Sequence, residues 1–269
     1  MIIYFIAHML GDYYFQSQAL SDYKDISVYG VLIHSIIYSV CFFFVFLIKY
    51  IFILINSPAW FSQHFVDLAL KEFLFVIVVT GIHALVDYLK FKLIFNDKRK
   101  TENIYLREDA LNRYLNQSKF SGFKNIASQD RLCFDSPGFI NSPVLLTFLV
   151  DQFLHIASIV FLYQSFFSNS LSQTLLFTSS MQKTINFLFL VLLIGKPSNV
   201  FITIASARYM PDNNNEVGVQ GAGAFIGFLE RLLIIIFLKF NLNQGIATVY
   251  VLKGFARHKK ISDDAQFAE

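Results

Sequence analysis

Five apolar runs, each long enough to cross a lipid bilayer, decide most of what this chain can become. A spanning helix needs about 20 apolar residues, and the runs cover 29–55, 73–95, 143–167, 185–207 and 222–240. In hydrocarbon each backbone N–H and C=O has to be satisfied within its own segment, so such runs are helices. Two shorter segments flank them, 1–18 and 244–256, the latter read as a re-entrant or interfacial piece. The expected fold is all-α, a polytopic transmembrane helix bundle of about six to seven membrane segments. It is read as one integral-membrane domain over 1–269. Charged residues make up only 15% of the chain, against roughly 25% in soluble domains.

One polar stretch, 96–142, separates the second and third long runs. It carries Lys98, Arg99, Lys100, Arg107, Arg113, Lys119, Lys124 and Arg131, and basic loops remain on the cytoplasmic side. Residues 19–28 and 208–221 and the Arg257, Lys259, Lys260 tail then also fall inside. The segments 56–72 and 168–184, poor in lysine and arginine, fall outside. The N-terminus has no charged leader and no small-residue cleavage site, so it reads as a retained segment. Two cysteines, Cys41 and Cys133, form no framework. A net charge of +3, without an arginine-rich patch, does not call for nucleic acid.

Against this apolar background the histidines stand out. Four of six lie inside apolar segments, and three of those have an aspartate four residues away. The pairs are His8 with Asp12, His83 with Asp87 and, reversed, Asp151 with His155; His34 is the fourth. Residues four apart share one helix face. Counted from the cytoplasmic helix ends at 1.5 Å per residue, all seven fall roughly 8–18 Å deep. Four segments therefore deliver imidazoles and carboxylates to one layer. A charged aspartate inside a membrane is costly and rarely left unpaired, and imidazole with carboxylate is a ligand set used by zinc or manganese.

Seven candidate ligands (His8, Asp12, His34, His83, Asp87, Asp151 and His155) exceed the needs of one tetrahedral ion. They suit two divalent ions, zinc or alternatively manganese, of the kind that activates water against phosphoesters. A single buried His–Asp pair would read as a structural hydrogen bond; three pairs plus His34 at one depth favour a metal or proton-handling site. His64 and His258 read as solvated.

Further polar groups approach the same layer. Glu230 and Arg231 lie about 12 Å into the last long run, either as an interhelical ion pair or with Arg231 clamping an anion. Gly221, Gly223, Ala224 and Gly227 would allow close helix approach there. Pro197, in GKP, interrupts the 185–207 run, and Lys196 then needs Glu230, a lipid phosphate or a route to the interface. Gln16 and Gln152 are expected to orient ligands or water. The outer halves of the helices read as almost purely apolar.

The N-terminal HMLGDYYFQ, with LIHSIIYS, IHALVDYLK, DQFLH and GFLERLL, resembles a bacterial family of multi-pass membrane proteins known as domain of unknown function 3307. More distantly, the pattern is similar to membrane-bound metal-dependent hydrolases. That resemblance implies an all-helical, multi-metal phosphoesterase with the same seven ligand candidates. The expectation is a multi-pass protein of the bacterial inner membrane, hydrolysing a lipid or other membrane-confined phosphoester near the cytoplasmic leaflet. Asp12 or Asp151 would take the proton and Arg231, beside Glu230, would stabilise developing charge. Its partners would be membrane lipids and the phosphoester substrate, with a second copy of the chain left open. The competing classes are a proton- or divalent-cation-coupled transporter, and a metal-stabilised scaffold that docks through 96–142. A line of acidic residues running to the outer face would favour transport.

Overall fold

A computed structural model describes residues 1–56, 63–96, 143–167, 179–206 and 222–263. Among these the secondary structure is helical, with no strand. The chain begins with α1 (Ile2–Met9), continues through a π-helical stretch (Leu10–Tyr14) and enters α2 (Gln18–Ile26). Two long helices follow, α3 (Val28–Asn56) and α4 (Gln63–Asn96), then α5 (Pro143–Phe167). The last four are α6 (Ser179–Ile194), α7 (Lys196–Ser206), α8 (Ala222–Lys239) and α9 (Asn243–Asp263). The polar stretch 97–142 and the 208–221 segment lie outside the described residues, as do Cys133 and Gly221.

Among the described residues, four stretches are long and apolar enough to cross a membrane: Val28–Ile55, Val66–Leu93, Leu145–Phe167 and Met181–Ser206. The six to seven segments expected are not confirmed among these residues, because α1 has only eight residues, α8 carries Glu230, Arg231 and Lys239 within its 18 residues, and α9 ends in a basic stretch. The segment at 244–256 is part of a regular 21-residue helix, α9. Residues 19–28, read as a connection between spans, form most of α2 instead. Its start is fixed by Ser17, whose hydroxyl accepts the Leu20 amide at 3.2 Å, an N-cap that satisfies an otherwise orphan donor.

The distribution of side chains on α3 is that of a helix with one face in lipid. Leu32, Ile36, Val40, Phe44, Leu47 and Ile51 are exposed at helical spacing, while Val31, His34, Tyr38, Phe42 and Val45 on the opposite face are buried. The buried faces of α1, α3, α4 and α5 meet in an apolar core containing Phe42, Phe75, Val76, Val79 and Ile159. Close approach depends on glycines, Gly30 and Gly11 among them. A Cβ on Gly30 would collide with the Tyr23 carbonyl and come within 2.7 Å of the Lys24 nitrogen, so its absence lets α2 lie on α3. A Cβ on Gly11 would lie 2.7 Å from the Tyr38 ring. The glycines of α8 do not act this way: Gly223 faces open space, and a Cβ on Gly227 would meet the Arg231 guanidinium of its own helix only at ordinary contact distance.

The 185–207 run is broken where GKP announced it. α6 ends at Ile194 and α7 begins at Lys196, and the carbonyls freed by the break find donors from other segments. Tyr14 Oη donates to the Leu192 carbonyl at 2.8 Å, Ser198 Oγ to Leu193 at 2.7 Å and Arg231 Nε to Ile194 at 3.0 Å. Lys196 Nζ donates to the Gln16 backbone carbonyl at 2.7 Å, while Glu230 pairs with Lys253. Irregular backbone at membrane depth is tolerated where neighbouring groups satisfy it in this way.

Candidate metal centre

The seven histidines and aspartates meet. Asp12 comes from the π-helical stretch, His8 from α1, His34 from α3, His83 and Asp87 from α4, and Asp151 and His155 from α5; all seven are buried. His34 Nε2 lies 3.1 Å from Asp12 Oδ1, 3.1 Å from His83 Nε2 and 3.3 Å from Asp87 Oδ2. His83 is the hub: its Nδ1 is 3.1 Å from His155 Nδ1, and its Nε2 is 3.3 Å from Asp87 and 3.4 Å from Asp12. The His83 ring is held flat against Tyr38, with centroids 3.5 Å apart and planes 3° from parallel. Tyr38 Oη in turn lies 3.2 Å from His8 Nδ1.

The π-helical stretch explains how a short first segment serves this cluster. Its wider turn, closed by the Phe15 amide on the Leu10 carbonyl at 2.8 Å, rotates the following side chains relative to an α-helix. As a result two consecutive residues both face the bundle. Asp12 reaches His34, while Tyr13 Oη donates to Gln152 Oε1 at 2.8 Å. Such π-turns occur preferentially at functional sites. Gln152 then donates from Nε2 to Asp12 at 3.3 Å, the orienting part expected of it. Gln16 is buried, with its carbonyl engaged by Lys196.

Two lysines that the sequence did not single out sit on the carboxylates. Lys24 Nζ, from α2, lies 3.2 and 3.4 Å from the two Asp87 oxygens. Lys90 Nζ, one turn beyond Asp87 on α4, lies 3.5 Å from Asp151 and 3.7 Å from Asp25. Burial works against the charge on Lys24, but the carboxylates of Asp87 and Asp12 outweigh it and hold its pKa above the ordinary lysine value. The D-x-x-K spacing of IHALVDYLK puts Lys90 on the Asp87 side of α4, but its carboxylate partners, Asp151 and Asp25, come from other helices. Lys24 lay in a stretch too short and polar to be read as a helix.

Three groups of side chains have donor atoms close enough to hold an ion: His8, Asp12 and His83; His34, His83 and Asp87; and Asp87, Asp151 and His155. The last two groups each contain buried atoms that make no close hydrogen bond: His34 Nδ1 in the second, and in the third His155 Nε2 and Asp151 Oδ1, which lie 3.5 Å apart, within ion-pair distance of each other. His155 Nε2 is also 3.7 Å from Asp87 Oδ1. Polar atoms left unsatisfied in an interior cost about 1–3 kcal/mol each, and inward-facing imidazole and carboxylate lone pairs fit a divalent cation.

Arg231 and Glu230 are engaged elsewhere. Arg231 bonds the Ile194 carbonyl and Asn199 at the α6–α7 break, and Glu230 pairs with Lys253 on α9. Their depth in the sequence was compatible with the His/Asp layer; their direction around the helix axis was not. The far half of the bundle is also less apolar than expected. Glu72 is fully buried there and accepts from Lys49 Nζ at 2.6 Å, Tyr50 Oη at 2.8 Å and Tyr4 Oη. The apolar core of Phe42, Phe75, Val76 and Val79 packs between this second polar group and the His/Asp cluster. His258 is exposed, as expected of a solvated residue.

The fold and site together define a helical membrane protein with a histidine–aspartate cluster inside its bundle. Residues 1–112 match the family described as protein of unknown function DUF3307, so the resemblance read from HMLGDYYFQ, LIHSIIYS and IHALVDYLK holds over that part of the chain. His8, Asp12, Lys24, His34, His83, Asp87 and Lys90 fall within the match, whereas Asp151, His155 and the GFLERLL segment lie beyond it. No curated protein and no solved structure matches the chain.

Proposed function

We propose that the cluster is a divalent-metal centre and that the chain is a metal-dependent hydrolase of a lipid or other membrane-confined phosphoester. The observation that carries this reading is the convergence of four buried imidazoles and three buried carboxylates from α1, the π-helical stretch, α3, α4 and α5, in three overlapping groups whose donor atoms are close enough to hold an ion. A divalent ion, zinc or manganese, supplies an activated water near neutral pH and polarises a phosphoryl oxygen. The protein's part is to hold the ligands in fixed rotamers, as Tyr38 does for His83 and Gln152 for Asp12, and to keep bulk water out. Asp12, buried beside three imidazoles, is the carboxylate suited to accept a proton. The basic 96–142 stretch supports a cytoplasmic-side orientation in the bacterial inner membrane.

Transport is the second reading, and the buried Glu72–Lys49 pair on the far side of the core favours it. The apolar layer between the two polar groups speaks for a closed-ended site instead. Wild-type protein purified in detergent after metal-replete growth is expected to carry bound divalent metal that the His83→Ala and Asp151→Ala variants lose. Metal-loaded protein is expected to release headgroup or phosphate from extracted lipids, and a chelator to stop it. Metal-free wild type would sink the metal reading; bound metal with ion uptake into proteoliposomes and no lipid turnover would replace hydrolysis by transport.

A further inference from the structure

Resting on the metal reading above, the distances inside the cluster single out one seat for the ion and give the other residues a different task. His34 Nε2 and His83 Nε2 lie 3.1 Å apart. Asp12 Oδ1 is 3.1 Å from the first and 3.4 Å from the second, and Asp87 Oδ2 is 3.3 Å from each. Ligands held about 2.0–2.2 Å from a tetrahedral ion stand about 3.3–3.6 Å from one another. Two imidazole nitrogens and two carboxylate oxygens therefore already have nearly the spacing that one such ion imposes. His34 Nδ1, on the far edge of its ring, has no hydrogen-bond partner, so the close polar neighbours of that ring lie on its Nε2 side.

We infer that a single tetrahedral ion of the zinc class sits between His34 Nε2, His83 Nε2, Asp87 Oδ2 and Asp12 Oδ1, and that His155 and Asp151 hold His83 in place without touching the ion. The remaining distances fit this division. His83 Nδ1 lies 3.1 Å from His155 Nδ1, and His155 Nε2 lies 3.5 Å from Asp151 Oδ1. With Nε2 on the ion, His83 carries its proton on Nδ1 and donates it to His155 Nδ1, and His155 turns its Nε2 to Asp151. Supports of this kind fix the tautomer and the ring angle of a ligating histidine. His8 Nδ1 stands farther out, 3.8 Å from the other Asp12 oxygen. Two imidazoles with two carboxylate oxygens in fourfold coordination suit zinc, whereas manganese and magnesium favour octahedral oxygen sites. Four protein ligands close the coordination sphere, so hydrolysis requires one of them to yield its place. Asp87 is held on both oxygens by Lys24, at 3.2 and 3.4 Å. Asp12 meets the side-chain amide of Gln152 instead, at 3.3 Å, and is the ligand that yields.

The test uses the full-length wild type and the His34→Gln, His155→Ala and Asp151→Ala variants, purified in detergent, stripped with a chelator and reloaded with zinc or cobalt(II). Metal content is read by atomic emission, and the geometry at cobalt by visible absorption, which is intense for a tetrahedral ion and weak for an octahedral one. The expected result is one zinc per wild-type chain and a tetrahedral cobalt spectrum. His34→Gln is expected to stay short of one zinc per chain even in excess zinc. His155→Ala and Asp151→Ala are expected to lose the ion on purification, because support behind a ligand is worth about 10–100-fold in metal affinity. Both should regain one ion per chain when zinc is added back, with the tetrahedral cobalt spectrum retained. The wild-type spectrum carries the test if His34→Gln does not fold. An octahedral spectrum, a second zinc per wild-type chain, or full zinc content in His34→Gln would each overturn this seat and leave the metal reading standing. Wild type that takes up neither zinc nor cobalt would overturn both.

Discussion

Asp87→Ala is expected to cost the fold about 3–5 kcal/mol and to abolish stoichiometric metal binding, the largest combined effect of any single substitution in the cluster. The reason is the number of groups that converge on this carboxylate. It receives the Lys24 ammonium through both oxygens and lies 3.3 Å from both His34 and His83. Deleting it leaves Lys24 charged and buried without its principal counter-ion, and removing one partner of a buried pair costs far more than the pair contributes as a whole. The same argument says what should rescue it. Asp87→Ala combined with Lys24→Met should recover most of the stability, read as the unfolding midpoint in dodecyl maltoside and SDS mixtures, and none of the metal. A double variant as unstable as the single one would mean that Lys24 is not the group left stranded.

Glu72→Ala is expected to destabilise by a similar amount, about 3–5 kcal/mol, and to leave metal content unchanged. Glu72 has no exposed surface, and three donors end on it: Lys49, Tyr50 and Tyr4. Its removal strands an ammonium and two hydroxyls in an apolar surrounding, where each lost hydrogen bond carries a desolvation penalty. The apolar side chains of Phe42, Phe75 and Val79 stand between this group and the centre, so the damage should not spread to the ligands. Replacing both charges, Glu72→Leu with Lys49→Met, should restore much of the loss, because a buried ion pair often exchanges for apolar packing at little cost. A fall in metal content that tracks Glu72→Ala would show that the two polar groups are coupled.

The parts of this protein that were legible in its sequence are those written in a periodicity. Long apolar runs gave the spanning helices nearly to the residue at α3 and α5, and the Gly195–Pro197 interruption gave the break between α6 and α7. The i, i+4 spacing of His8 with Asp12, His83 with Asp87 and Asp151 with His155 put each pair on one helix face. What spacing cannot supply is azimuth. Arg231 lay at a compatible depth, yet it turns toward the carbonyls of the broken helix, because the freed Ile194 oxygen needs a donor more than the cluster needs another cation. Lys49 and Glu72 were readable in principle, since a lone lysine inside an apolar run calls for a partner. Their pairing required knowing which helices are neighbours. Lys24 was hidden for a different reason: it arrives on a short amphipathic helix whose position depends on Gly30 lacking a side chain.

The two buried polar groups also fix how α3 and α4 slide against each other. His34 pairs with Asp87 at one level and Lys49 with Glu72 at another. Fifteen residues separate His34 from Lys49 on α3, and fifteen separate Glu72 from Asp87 on α4. A single antiparallel register therefore closes both contacts, about 22 Å apart along the bundle. Lipid tails give apolar helices no preference for one alignment over the next. A slip of one turn would open both contacts together and leave four polar side chains in hydrocarbon. The two polar pairs thus act as two pins through one hinge plate, and the geometry of the centre is inherited from an alignment that the far pair helps to enforce.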